Sequence, residues 1–141
     1  MTRGVKTCNG GQWTDARFHA FIMGALRATH GKWNPASQAK KAARVRRGVY
    51  LCALCGKEGP ATTWTTYKSG DKKGQPKKVK NAVVDHTNPV IDPAVGFVDW
   101  NTVIERMFLE VEGYQVICHA CHETKTAEER VVRTERLKGE V

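Results

Sequence analysis

The sequence predicts an α+β fold, one small domain with an appended arm, and three observations carry that prediction. Apolar residues recur at helical spacing in several stretches, short β-branched or aromatic runs stand between them, and two Cys-x2-Cys pairs each follow such a run. At 141 residues the chain is within the usual span of one domain, and too short for a doubly wound cofactor fold with a second domain. Four Trp, three Tyr and four Phe make a lean core of the kind that needs a staple.

The first helix is expected over residues 15–30, where Phe18, Ile22 and Leu26 share a face, with Asp15 as N-cap and Gly31 as stop. Asn34-Pro35 is a cap followed by a first-turn proline, and it opens an Ala-rich helix through Arg47 that Gly48 closes. Lys40, Lys41, Arg44, Arg46 and Arg47 load that helix with cations and no acid, more than solubility requires, so phosphate contact is expected of them. Residues 1–48 thus form a basic helical arm, ahead of a main domain over 49–141. That domain opens with a strand at 49–51 running into Cys52-Ala53-Leu54-Cys55-Gly56. Residues 62–67 and 79–84 read as the strands of a hairpin with a basic, mobile loop. Its lysines, Lys72, Lys73, Lys77 and Lys78 among them, either track a DNA backbone or form a solvated tether.

Thr87-Asn88-Pro89 ends the second of those strands. Asp99 caps a helix whose Val103, Met107 and Val111 make an apolar face, and Gly113 stops it. A strand at 114–117 then enters Cys118-His119-Ala120-Cys121-His122, and Thr126 with Glu129 is the capping box of a final helix to Lys138.

Charge is segregated along the chain. Residues 1–48 hold ten Lys or Arg against Asp15 alone, residues 49–80 hold seven against two acids, and residues 81–141 hold six against eleven. A one-sided basic field on a small protein points to a polyanionic partner, most often nucleic acid. No run of about 18 apolar residues exists, and the polar start lacks the order of a secretory signal. A soluble chain in a reducing cytoplasm, without a membrane partner, is expected.

Tetrahedral zinc takes four soft ligands, and a two-residue gap lets one knuckle offer two thiolates to a single ion. One structural Zn2+ held by Cys52, Cys55, Cys118 and Cys121 is therefore expected. Replacement of a cysteine by His119 or His122, and disulfide pairing, are the alternatives. Cys8 is left over as a free thiol.

Asp85-His86 stands at a strand end, and His122 abuts the second knuckle. The stretch Val84-Asp85-His86-Thr87-Asn88-Pro89-Val90, then Asp99-Trp100-Asn101 with its helix, then Gln115-Val116-Ile117-Cys118-His119-Ala120-Cys121-His122-Glu123-Thr124-Lys125-Thr126, resembles the zinc-bearing HNH endonucleases. The likeness is to small free-standing ones encoded by bacteriophages, and it is clearest over residues 49–130.

The resemblance implies a ββα-metal core, with His86 as general base and Asp85 and His122 holding a catalytic Mg2+, Mn2+ or other divalent ion. The residue types suit that chemistry, because a neutral imidazole accepts a proton from water near neutral pH, and carboxylate oxygen with imidazole nitrogen suits such ions. Asp85 and His86 would point to opposite faces of a regular strand, so serving one phosphate requires a break there, which Asn88-Pro89 supplies. Lys125, three residues beyond His122, is placed to touch phosphate. The family carries an asparagine nine residues before its last histidine, where this chain has Gly113, so either its orienting role is vacant or Asn101, the first choice, or Asn88 supplies it.

The function these readings imply is a metal-dependent endonuclease hydrolysing phosphodiester bonds of duplex DNA, acting as monomer or homodimer in a host cytoplasm. The alternative is a non-catalytic zinc module that binds DNA in phage replication or packaging.

Overall fold

The computed structural model describes residues 4–140. Two compact units divide the chain, one ending at Trp33 and the other beginning at Asn34.

In the first unit a short antiparallel pair, β1 (Lys6–Cys8) and β2 (Trp13–Thr14), leads into α1 (Asp15–His30). Thr14 is the N-cap: its hydroxyl accepts from the Arg17 N–H at 3.2 Å, so Asp15 moves one residue inward from its expected place. There its carboxylate accepts from the Thr7 hydroxyl and the Cys8 thiol, and still meets the positive end of the helix.

The second unit is mixed α and β. It begins with α2 (Asn34–Ala42), which ends five residues before the expected Arg47. Residues Arg44–Arg46 instead form β3, antiparallel to β4 (Val49–Leu51) and through it to β5 (Glu58–Pro60). The cause is local: Gly48, at φ 74°, closes a tight turn that brings Arg46 opposite Val49, and strand pairing overrides helical propensity. The five expected cations are therefore split between a helix, a strand and a turn.

β6 (Thr62–Thr66) and β7 (Pro76–Lys80) form a hairpin as a separate two-stranded sheet, its second strand beginning at Pro76, inside the expected loop, rather than at Val79. The expected strand over 79–84 is broken at Asn81 and Ala82, whose N–H groups both donate to the Ala61 carbonyl. β8 (Val83–His86) starts afresh and pairs antiparallel with β9 (Tyr114–Ile117), with Asp85 opposite Gln115 and His86 opposite Tyr114.

Between β8 and β9 runs α3 (Trp100–Met107), capped by Asp99, whose carboxylate accepts from the Thr102 N–H at 2.7 Å and is held below the usual carboxylate range by that bond. It ends at Met107 rather than Gly113, and a single 3-10 turn (Val111–Gly113) leads into β9. After β9 comes α4 (His119–Gly139), seven residues earlier than the expected start at Thr126. No glycine or proline interrupts residues 119–138, and Cys118 is already extended as its cap, so the second knuckle lies within the first turn of the helix.

The core of this unit is small: Val103 and Met107 of α3, Tyr114, Val116 and Ile117 of β9, Ala36 and Ala39 of α2, Ala82, and Cys52. Two alanines on one side of α2 let that helix lie close on β8 and β9. Residues 34–48, expected in the arm, therefore belong to the second unit. Among the described residues no helix is long and apolar enough to cross a membrane.

Candidate functional site

The two knuckles converge. Cys52 and Cys55 follow β4, Cys118 and Cys121 flank the start of α4, and their four sulfurs lie within 4.8 Å of one another. Backbone bonds make the meeting rigid. The Ala53 N–H donates to the Val116 carbonyl at 2.9 Å, joining the first knuckle to the strand that carries the second. Gly56, at φ 72°, lets its N–H return to the Cys52 carbonyl, a left-handed turn that a side chain would strain.

Burial acts to raise the Cys52 thiol, but N–H groups of Cys55, Cys118 and Leu54 favour its thiolate and bring it down to about 6. Hydrogen bonding with the Cys118 thiol, then burial and the other two thiols, push Cys121 up to about 12. Crowded thiols that cannot all ionise alone are what a divalent ion resolves. The fit is also geometric: Cys55 Sγ and Cys118 Sγ are 3.9 Å apart, close to the edge of about 3.8 Å for a tetrahedron with zinc–sulfur bonds of about 2.3 Å. All five cysteines are free thiols, Cys8 among them, and neither His119 nor His122 belongs to the cluster.

A second constellation surrounds the end of β8. His86 Nε2 lies 2.8 Å from the Met107 carbonyl oxygen. A carbonyl only accepts, so in the neutral ring Nε2 carries the proton and Nδ1 is the basic nitrogen. The same carbonyl accepts from the buried Tyr114 hydroxyl at 2.7 Å, and that hydroxyl accepts from the Leu109 N–H at 3.0 Å. Tyr114 also meets the His86 ring edge-on, with centroids 5.0 Å apart. The break after β8 is held as well, by the Thr87 N–H donating to the Gly113 carbonyl at 3.0 Å. A Cβ at Gly113 would come within 2.6 Å of the Leu109 side chain, so packing there requires glycine.

β8 runs unbroken through both residues, so Asp85 turns from His86 toward α4, and the break at Asn88-Pro89 comes too late to bring the two to one side, as serving one phosphate requires. The Asp85 carboxylate accepts from Gln115 Nε2 at 3.0 Å and pairs with Lys125 Nζ, which also donates to the His86 carbonyl at 2.7 Å. Lys125 is thus turned inward, its side chain 19% exposed, instead of reaching out to phosphate. His122 is half-buried, three residues before Lys125 and so on the same side of α4. Asp85, His86 and His122 do not make a second three-ligand group among the described residues.

Asn101 is exposed in the first turn of α3 and makes no side-chain hydrogen bond among the described residues. The contact to His86 comes from the opposite end of that helix, six residues on and about 9 Å along its axis. Asn88 is also exposed. Sequence reasoning missed Met107 and Tyr114, because a backbone carbonyl leaves no mark in sequence and a strand tyrosine reads as core.

The basic residues are on the surface. Lys40 lies over the Tyr50 ring at 5.8 Å, Arg46 pairs with Glu58 at 3.0 Å, and Lys41, Arg44, Arg47, Lys72, Lys73, Lys77 and Lys78 are exposed. No protein-family model, curated protein or solved structure matches this chain.

Proposed function

We propose that the chain is a metal-dependent DNA endonuclease of the HNH type, with a structural zinc at the four cysteines and His86 as its general base. The observation that carries this reading is the orientation of His86, whose Nε2–H is tied to the Met107 carbonyl that Tyr114 holds in place. That arrangement leaves Nδ1 as the proton acceptor and steadies the imidazolium formed when the ring takes a proton from water. The water oxygen then bonds to phosphorus, the bond from phosphorus to the 3′ oxygen breaks, and that oxygen is protonated. A 5′-phosphate and a 3′-hydroxyl result. A divalent ion held by Asp85 and His122 would supply charge stabilisation on the phosphate.

Further support is the order of elements: an antiparallel pair, β8 and β9, followed directly by α4, with the Asp-His pair ending the first strand and His122 in the first turn of the helix. In this reading the orienting part played in the family by an asparagine is taken by two backbone carbonyls, Met107 for the ring and Gly113 for the loop after it. The partner is duplex DNA, drawn by the basic residues of the first 80 positions, and the setting is a host cytoplasm.

Two observations favour the non-catalytic alternative, the first being that Asp85 and His86 face opposite sides of β8. The second is that Lys125 already neutralises Asp85, as in a site that has exchanged its metal ion for an ammonium. Nicking of supercoiled plasmid by the zinc-loaded protein, with Mg2+ or Mn2+ added and withheld, separates the two. Divalent-dependent nicking with 5′-phosphate ends supports the nuclease, and DNA binding without nicking supports the module.

A further inference from the structure

The β6–β7 hairpin carries a feature that its own folding does not account for. Five Cα pairs set its register, with Thr62, Trp64 and Thr66 opposite Lys80, Lys78 and Pro76 on one face. Every residue of that face is exposed, whereas Thr63, Thr65 and Val79 on the other are half-buried and serve the hairpin's packing. Trp64 is 66% exposed and has no ring or cation partner among the described residues. Most of that aromatic surface is left uncovered by the fold, and it stands among lysines and threonines on an exposed face.

The rest of the hairpin is built to present that face. Residues 62–80 hold six lysines against Asp71. The tip, expected to be mobile, is tied by reciprocal bonds between Tyr67 and the Gly74–Gln75 segment, at 2.9 and 3.0 Å, and Gly70 and Gly74 take the positive φ values the turn needs. Lys72 and Lys77 lie over the Tyr67 ring, 5.7 and 5.4 Å from its centroid. At the base, Asn81 donates to the Pro60 carbonyl and accepts from the His119 N–H, clamping the hairpin between β5 and the start of α4.

We infer that this ribbon enters the major groove of duplex DNA, with the Trp64 face against base edges and the tip lysines on phosphates. The size matches: strands about 4.8 Å apart make a ribbon that a groove about 12 Å wide admits, and strands of five residues reach about 17 Å. The chemistry matches too, since lysine donors and threonine hydroxyls bond to base edges, and an apolar ring packs on thymine methyl groups. The inference rests on the nucleic-acid partner of the proposed function and not on its catalytic residues.

The test is the affinity of the full zinc-loaded chain for a short duplex and for a single strand of equal length, over a salt series. Trp64→Ala should weaken duplex binding about tenfold without changing the salt dependence, and Trp64→Tyr should restore much of the loss. Lys72→Ala with Lys73→Ala should lower the salt slope by about 2, the mark of lost phosphate contacts. Methyl green, a major-groove ligand, should compete. Trp64→Ala binding within twofold of wild type, or a Trp64-dependent preference for the single strand, would overturn the groove assignment, as would a wild type that binds no duplex. Wild-type binding through Trp64 without any nicking would instead remove the nuclease and leave the ribbon standing.

Discussion

Replacing Tyr114 with phenylalanine removes one oxygen from the centre of the His86 site and leaves its volume filled. That oxygen makes two bonds, donating to the Met107 carbonyl at 2.7 Å and accepting from the Leu109 N–H at 3.0 Å, in a residue only 6% exposed. Two neutral hydrogen bonds at about 1 kcal/mol each give a loss of about 2 kcal/mol. In a unit of this size that lowers Tm by about 8 °C. The second consequence is specific to the site. Met107 is no longer aimed at His86 by the tyrosine, so the ring loses the partner that fixes its tautomer, and turnover should fall about 10- to 100-fold, the scale for outer partners of a histidine. Calorimetry reads the first effect. Nitrogen-15 NMR of the histidine rings reads the second without reference to activity, because the neutral wild-type His86 should carry its proton on Nε2 and the variant should show a mixture. A wild-type ring protonated on Nδ1, or a Tyr114→Phe protein of unchanged stability and unchanged tautomer, would refute the reasoning.

Zinc removal should unfold the second unit, since ions in sites of this kind contribute about 10 to 16 kcal/mol, which exceeds or matches the whole stability of a small domain. Native mass spectrometry should find one zinc per chain, and circular dichroism after exhaustive chelation should lose most helical signal. Loading should weaken as pH falls, because Cys121, pushed up to about 12, must give up its proton to the ion while Cys52, brought down to about 6, is already a thiolate near neutrality. Lys125→Met should tighten Mn2+ binding, read by electron paramagnetic resonance of the zinc-loaded protein, by about fivefold, the equivalent of about 1 kcal/mol for a lost ion pair. Unchanged Mn2+ affinity would take Asp85 out of the metal site.

Much of this architecture is written in local sequence signals. The paired knuckles, the first hairpin strand at 62–66, the Asp99 cap and the strand at 114–117 all rest on short-range chemistry: ligand spacing, β-branching and a side-chain cap. The errors lie where strand pairing or the continuation of a helix outweighs the propensity read at each position. Arg44 to Arg46 have helical neighbours before them but pair with β4 through the Gly48 turn, and α4 absorbs the second knuckle because nothing within it breaks a helix. The candidate site, Asp85, His86 and His122, was legible as residue types and not as contacts. Lys125 looks in sequence like a free cation for phosphate, and only folding of α4 beside β8 turns it onto Asp85. The group holding His86 is a main-chain carbonyl, which every residue has and no sequence pattern marks.

The central claim, that His86 is the base of a phosphodiester-cleaving site, is tested most directly by single-turnover nicking with wild type and His86→Ala at saturating protein, both zinc-loaded and supplied with Mg2+ or Mn2+. The predicted result is nicking by wild type and a loss of about 100-fold or more in His86→Ala, with DNA affinity and thermal stability of the variant close to wild type. Equal nicking by the two proteins, or none by a folded wild type that binds the plasmid, would contradict it.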